Sequence, residues 1–218
     1  MKTAVVIGAT GLVGEQLTQL LLSHTGYSKV IVFVRRSLAL QNTKLEEHVI
    51  DFDRPDTWRY LVKGDVFFSC LGTTLKQAGG KEAQYLIDYT YQYEFAEAAA
   101  GNGIPVYVLV SSASADPGSR FFYMRMKGEL ERDVRKLNFE SITLIQPGPL
   151  AGRKSKKRTG EEFGIKLISA FNAIGLFKKY RPIDGKIVAR AMIRAADLAA
   201  PGVRVYTLDQ VFALEGSE

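Results

Sequence analysis

A glycine-rich turn set between a short apolar run (residues 3–7) and an apolar-periodic segment (residues 12–22) constrains this chain more than any other feature. The turn reads Gly8-Ala9-Thr10-Gly11-Leu12-Val13-Gly14. Glycine permits the tight reversal from strand to helix and lets another backbone or a phosphate approach where a Cβ would stand. The first turn of the following helix offers N–H groups with no intrahelical partner and the positive end of its dipole. The turn from Gly8 through Gly11 to Gly14, with the N–H groups that open the helix, is therefore expected to cradle the pyrophosphate of a dinucleotide. A turn with a purely structural role is the alternative.

The rest of the chain alternates in the same way. Short β-rich runs at 29–34, 48–51, 65–70, 106–110, 141–146 and 203–208 are interleaved with helical patterns at 82–100, 120–137 and 185–199. That alternation predicts an α/β fold, a doubly wound parallel sheet (Rossmann fold), with ligands beyond the C-terminal strand ends. The 218 residues, 46% of them hydrophobic and 24% charged, suffice for one core and exclude a collagenous or wholly disordered chain. We expect one NAD(P)-binding domain over 1–218, with residues 151–199 forming a small basic substrate cap. The charge is lopsided: residues 151–218 hold 13 Lys/Arg against 7 Asp/Glu, whereas residues 1–150 hold 16 of each.

Further positions carry chemistry. The second strand ends in Val34-Arg35-Arg36, where an enzyme selective for NAD usually places an acid on the ribose 2′-hydroxyl. Two guanidiniums suit a 2′-phosphate instead, so NADP(H) is expected over NAD(H), with a pair of solvated arginines as the alternative. Leu71-Gly72, after the fourth strand, should pass beneath the cofactor with exposed backbone. Asp51-Phe52-Asp53 closes the third strand as an adenine contact or as a turn cap.

Tyr123 and Lys127 form a YxxxK on a predicted helix, one turn apart on one face. An ammonium there stabilises a phenolate and holds a ribose hydroxyl, so the tyrosine can pass a proton while hydride moves. In the short-chain dehydrogenases/reductases, which this order of motifs resembles, a serine at the fifth strand's end hydrogen-bonds the reacting oxygen, which implies Ser112 here, with Ser111 and Ser114 as alternates. Capping of the next turn by these serines is the competing role.

The GxxGxxG spacing is similar to that of the extended and atypical short-chain dehydrogenases/reductases. Val34-Arg35-Arg36, Cys70-Leu71-Gly72-Thr73-Thr74, Ser111-Ser112 and Tyr123-x-x-x-Lys127-Gly128-Glu129, in this order, resemble the Tat-interacting oxidoreductase family of that superfamily. The match runs from the N-terminus to about Arg158. The resemblance implies NADP(H) held by Thr10, Gly11, Leu12, Val13, Arg35, Arg36 and the Leu71-Gly72 loop. It also implies Tyr123 as proton donor or acceptor, Lys127 on the ribose, and Leu150 and Arg158 near the cofactor. Gln146 stands where that family usually has arginine, and Ala113-Ser114 replaces its Lys-Gly, a change that bears on the substrate.

The expected activity is reduction of a small carbonyl or oxidation of the alcohol. A non-catalytic NADP(H) sensor and a sugar-nucleotide epimerase or dehydratase are the competing readings. A small-molecule substrate is the expected partner, with a homodimer or a regulatory protein as further possibilities. The basic run 153–158 adjoins too few aromatics for a nucleic-acid stacking platform. His24 and His48 lack ligand spacing, so no metal is expected. The single cysteine, Cys70, excludes an internal disulfide, and with no signal-like leader or membrane span the expectation is a cytoplasmic protein.

Overall fold

The computed structural model describes residues 1–151 and 181–216. Its strands are β1 (Lys2–Ile7), β2 (Tyr27–Val34), β3 (Leu45–Val49), β4 (Val66–Ser69), β5 (Val106–Val110), β6 (Ser141–Gln146), β7 (Leu150–Ala151), β8 (Ile183–Asp184) and β9 (Gly202–Thr207). Seven of them form one parallel sheet in the order β3-β2-β1-β4-β5-β6-β9, while β7 and β8 pair separately. The doubly wound sheet expected from the sequence is thus the observed fold.

The central strands are apolar on both faces because helices cover both. Alternation along β1 sends Ala4 and Val6 into one core layer and Val5 and Ile7 into the other. The first layer is closed by α1 (Leu12–Ser23) and by α6 (Gly185–Leu198), which packs Val188, Met192 and Ala196 among α1 residues such as Leu17. The second is closed by α4 (Tyr91–Gly101) and α5 (Phe122–Val134), through Phe95, Ala99, Leu130 and Val134. Trp58, fully buried, stacks on Phe95 with ring centroids 3.8 Å apart.

Four details differ from the sequence reading. The third strand lies at Leu45–Val49, in register with Val30–Val34, and not at 48–51. It is an edge strand whose residues are only partly covered, so burial imposes little period on its sequence. The single helix expected over 82–100 is α3 (Lys81–Tyr85), a π-helical turn (Leu86–Thr90) and α4. Short helices α2 (Leu75–Ala78) and α7 (Asp209–Gly216) were not anticipated.

The fourth difference concerns the expected cap at 151–199. Its helix at 185–198 belongs to the helix layer of the sheet itself. A Cβ on Gly185 would lie 2.6 Å from the Leu12 carbonyl oxygen, which shows how closely α6 meets the start of α1. The remainder of the expected cap, including the basic run 153–158 and the helix near 162–173, lies outside the described residues. Among the described residues no helix is long and apolar enough to cross a membrane.

Candidate functional site

The sheet order reverses beside β1, whose neighbours are β2 and β4, and the crevice at such a switch point is where open α/β sheets bind ligands. The glycine turn lies at that place. Gly8 has φ +81°, and a Cβ on it would fall 2.4 Å from the Cys70 carbonyl carbon. A Cβ on Gly14 would fall 2.1 Å from the Gly8 carbonyl oxygen, so Gly14 serves the packing of helix on turn and does not line the crevice. Gly11 differs: its Cβ position is 3.2 Å from the Gly8 oxygen, and it heads α1 with no side-chain cap. The first-turn N–H groups of α1 are left for a ligand.

Two hollows meet at this turn and share Gly11, Leu12 and Cys70–Thr73 as their common wall. One, of about 870 Å³, is lined by Gly8, Thr10 and Arg35 among others. The other, of about 580 Å³, is lined by Val13, Ser111, Tyr123, Lys127 and Leu150 among others. Leu71 and Gly72 border both. The sequence-selected positions therefore gather along one crevice, with three exceptions besides Gly14. Arg36 is exposed and lines neither hollow. Arg158 lies outside the described residues.

Ser112 is the third. It lines neither hollow, and its hydroxyl donates to the Ala113 carbonyl at 3.3 Å. The alternate, Ser111, borders the 580 Å³ cleft with a buried hydroxyl that has no hydrogen-bond partner among the described residues. The Ser111 N–H bonds the Ile145 carbonyl at 2.7 Å, extending the β5–β6 ladder by one residue, and this sets which serine faces the cleft. Ser114 sits at φ +65° in the turn beyond and does not line the cleft.

Helix α5 is pinned to that turn. A Cβ on Gly128 would lie 2.2 Å from the Asp116 carbonyl carbon, and the Asp116 N–H donates to the Met124 carbonyl at 3.0 Å. Tyr123, 37% exposed, and Lys127, 3% exposed, thereby enter the same cleft as Ser111.

Sequence reasoning missed Asp88. It lies in the π turn, is 1% exposed, and accepts the Thr73 N–H at 2.7 Å and a bond from Gln84 Nε2 at 3.4 Å. Burial pushes its carboxyl above the usual aspartate range, opposed by the charge of Lys127 and by the bonds from Thr73 and Gln84. Gln92 Nε2 donates to the Asp88 carbonyl at 2.6 Å and its Oε1 accepts from the Ser69 hydroxyl at 2.7 Å. A chain of bonds thus runs from the end of β4 through the π turn to the loop beneath the cleft. An aspartate within a helical pattern gave no sign of this.

Asp51 and Asp53 take the turn role. The Asp51 carboxylate accepts the Asp53 N–H at 3.0 Å, Asp53 accepts the Tyr91 hydroxyl, and neither lines the two hollows. Burial pushes the Cys70 thiol up, in keeping with a small apolar residue. Among the described residues no cluster of His, Cys, Asp or Glu could hold a metal ion.

A parallel sheet in this order, with a glycine turn at its switch point, defines a doubly wound dinucleotide-binding fold. The chain belongs to the family described as NAD(P)H-binding, whose model matches residues 8–169.

Its relatives include Protein FMP52, mitochondrial, of Coccidioides immitis, 33% identical over 100% of this chain and 95% of the relative. The protein of the same name from Saccharomyces cerevisiae is 41% identical over 76% of this chain and 72% of the relative. The resemblance drawn from the motifs holds at the level of the NAD(P)-binding family and its doubly wound fold; these relatives bear the name FMP52, not that of Tat-interacting oxidoreductases. Their names also carry a mitochondrial location, which overturns the expectation of a cytoplasmic protein.

Among solved structures, the Bordetella bronchiseptica enzyme WbmH in complex with NAD+ aligns with TM-score 0.71 and 14% identity, over 95% of this chain and 76% of that one. The UDP-N-acetylglucosamine 4-epimerase from Methanobrevibacter ruminantium aligns with TM-score 0.66 and 15% identity, over 97% and 80%. At such identities the likeness is one of fold.

Proposed function

We propose that this protein is an NADP(H)-dependent oxidoreductase that interconverts a small carbonyl compound and its alcohol. The observation that carries the reading is the meeting of Tyr123, Lys127 and the unpartnered Ser111 hydroxyl in one cleft, directly beside the Gly11–Val13 end of α1. The chain fits a dinucleotide: Gly8 and Gly14 allow a turn that a Cβ at either position would break, and hollows of about 870 and 580 Å³ open on that turn, one for each nucleotide half. Gly8, Thr10, Gly11, Leu12 and Val13 would hold the pyrophosphate, Leu71 and Gly72 would pass beneath it, and Leu150 would border the nicotinamide half. The choice of NADP over NAD rests on Arg35 in the wider hollow, with Arg36 beside it in sequence and Arg158 as a further candidate.

Bound NADPH supplies a hydride. The remaining work falls to the chain's own residues. The Tyr123 hydroxyl gives its proton to the carbonyl oxygen, and Ser111 donates a hydrogen bond to the same oxygen in place of Ser112. The Lys127 ammonium would hold a ribose hydroxyl beside the tyrosine, and Val110 and Phe122, which line the same cleft, would shield the reacting atoms from water.

The test is NADPH titration beside a panel of carbonyl compounds followed by NADPH absorbance, on the unmodified protein and on Tyr123→Phe. Turnover should fall by about 100-fold or more in the variant while NADPH affinity stays within about twofold. Tight NADPH binding with no turnover of any carbonyl would favour a sensor, and loss of binding in the variant would place Tyr123 in the cofactor site alone.

A further inference from the structure

A third hollow of about 430 Å³ adjoins the 580 Å³ cleft, and Lys81 and Phe122 line both. Shared walls give the order of the three: the Arg35 hollow, the glycine turn, the Tyr123 cleft, Phe122, and the outer hollow bordered by Tyr85, Leu86 and Thr90. The path away from the glycine turn is apolar. Leu75 (47% exposed), Phe121 (77%) and Leu86 (38%) stand open to solvent along it, an unusual density of exposed large apolar side chains around one cleft.

Among the described residues, charge is scarce on this path. Among the described residues lining the Tyr123 cleft, the charged ones are Lys127, which faces Asp88, and Lys81. The Lys81 ammonium lies over the Phe122 ring, 5.7 Å from its centroid, and Glu82 borders the outer hollow beside it. A sugar-nucleotide diphosphate needs several converging cations, preferably guanidiniums. An unbranched hydrocarbon chain needs only the apolar wall that is present.

We propose that the substrate is a carbonyl compound with an apolar tail, of the medium-chain aldehyde class, whose tail runs from Tyr123 across Phe122 into the hollow at Leu86. This rests on the oxidoreductase reading and narrows its substrate. Hydride passes from NADPH to the carbonyl carbon and the Tyr123 proton to the oxygen, giving a primary alcohol and NADP+, after which Tyr123 regains its proton from solvent.

The experiment measures kcat/KM with NADPH for unbranched aldehydes from propanal to decanal. The expected result is a rise of about threefold per methylene until the tail fills the hollow. Leu86→Ser, a change at an exposed position, flattens the upper part of that rise and leaves NADPH affinity unchanged. A flat series, or turnover of UDP-glucose in preference to every aldehyde, overturns the proposal. If no aldehyde is reduced, calorimetric titration of unbranched primary amides into the NADP+-loaded protein decides it: affinity growing with chain length supports the apolar tail site, and affinity independent of length overturns it. Failure to bind NADPH at all overturns the oxidoreductase reading itself, which separates the two.

Discussion

The carboxylate of Asp88 accepts the backbone N–H of Thr73 at 2.7 Å, tying the π turn between α3 and α4 to the loop that follows β4. That loop carries Leu71 and Gly72, the shared wall of both halves of the crevice, so one buried acid steadies the floor of the whole site. π turns inside helices recur at such places because the extra residue redirects a side chain.

Asp88→Ala should cost about 1–3 kcal/mol in urea unfolding, since it strands the Thr73 N–H and leaves the Gln84 amide only its bond to the Thr73 carbonyl. NADPH affinity should fall with it. Asp88→Asn keeps an acceptor and should recover most of the stability. Burial raises the Asp88 carboxyl above its ordinary 3.8, so its stabilising contribution is fully present below that value and is lost as pH rises through the raised folded value. Relative to Asp88→Asn, the unmodified protein should therefore lose stability as pH rises above about 4. A pH-independent difference in Tm between the two would contradict this.

Asp133 should behave with the opposite sign. Hydrogen bonds from Arg132, with others from Lys136 and Tyr89, hold its carboxyl well below 3.8. A lowered folded value stabilises above the ordinary one and is lost as pH falls toward it. Asp133→Asn should lower Tm at neutral pH, with the gap to the unmodified protein narrowing steadily once the pH drops below about 4, as a series of thermal melts would record.

The glycines of the turn should separate into two kinds. Gly14→Ala places a Cβ 2.1 Å from the Gly8 oxygen and should destabilise the fold by about 1–3 kcal/mol or more through overpacking. Gly11→Ala meets only a 3.2 Å neighbour and should fold. Gly11→Val should also fold yet lose NADPH binding, because its branches project where the phosphates would approach. Retained NADPH affinity in a folded Gly11→Val would contradict the cradle.

Arg35 borders the wider hollow and Arg36 does not, so the two should not contribute equally to cofactor choice. Arg35→Ala should remove about 1–3 kcal/mol of NADPH binding while leaving NADH nearly unaffected, and Arg36→Ala should do less. Calorimetry at fixed salt on the unmodified protein and both variants checks this, and equal affinity of the unmodified protein for the two cofactors would count against a 2′-phosphate site.

The class of fold was written locally. Strands buried on both faces read as continuous apolar runs, and a glycine turn between the first strand and α1 admits few alternatives, so β1, β2, β5 and β6 and the cradle at Gly8–Gly14 were legible from composition and spacing. Tyr123 and Lys127 were legible because helical spacing alone places them on one face. The tertiary structure decided what depends on register and on inward aim. Pairing of β5 with β6 turned Ser111 and not Ser112 to the cleft, since adjacent residues of an extended chain point opposite ways. A π turn, invisible to a 3.6-residue period, carried Asp88 into the interior opposite Lys127. Packing on α1 placed 185–198 in the sheet's own helix layer, where the apolar face of α6 buries Val188, Met192 and Ala196 in the core. Local pattern fixes which elements form and which face of each is apolar, and only long-range packing selects which individual side chains meet.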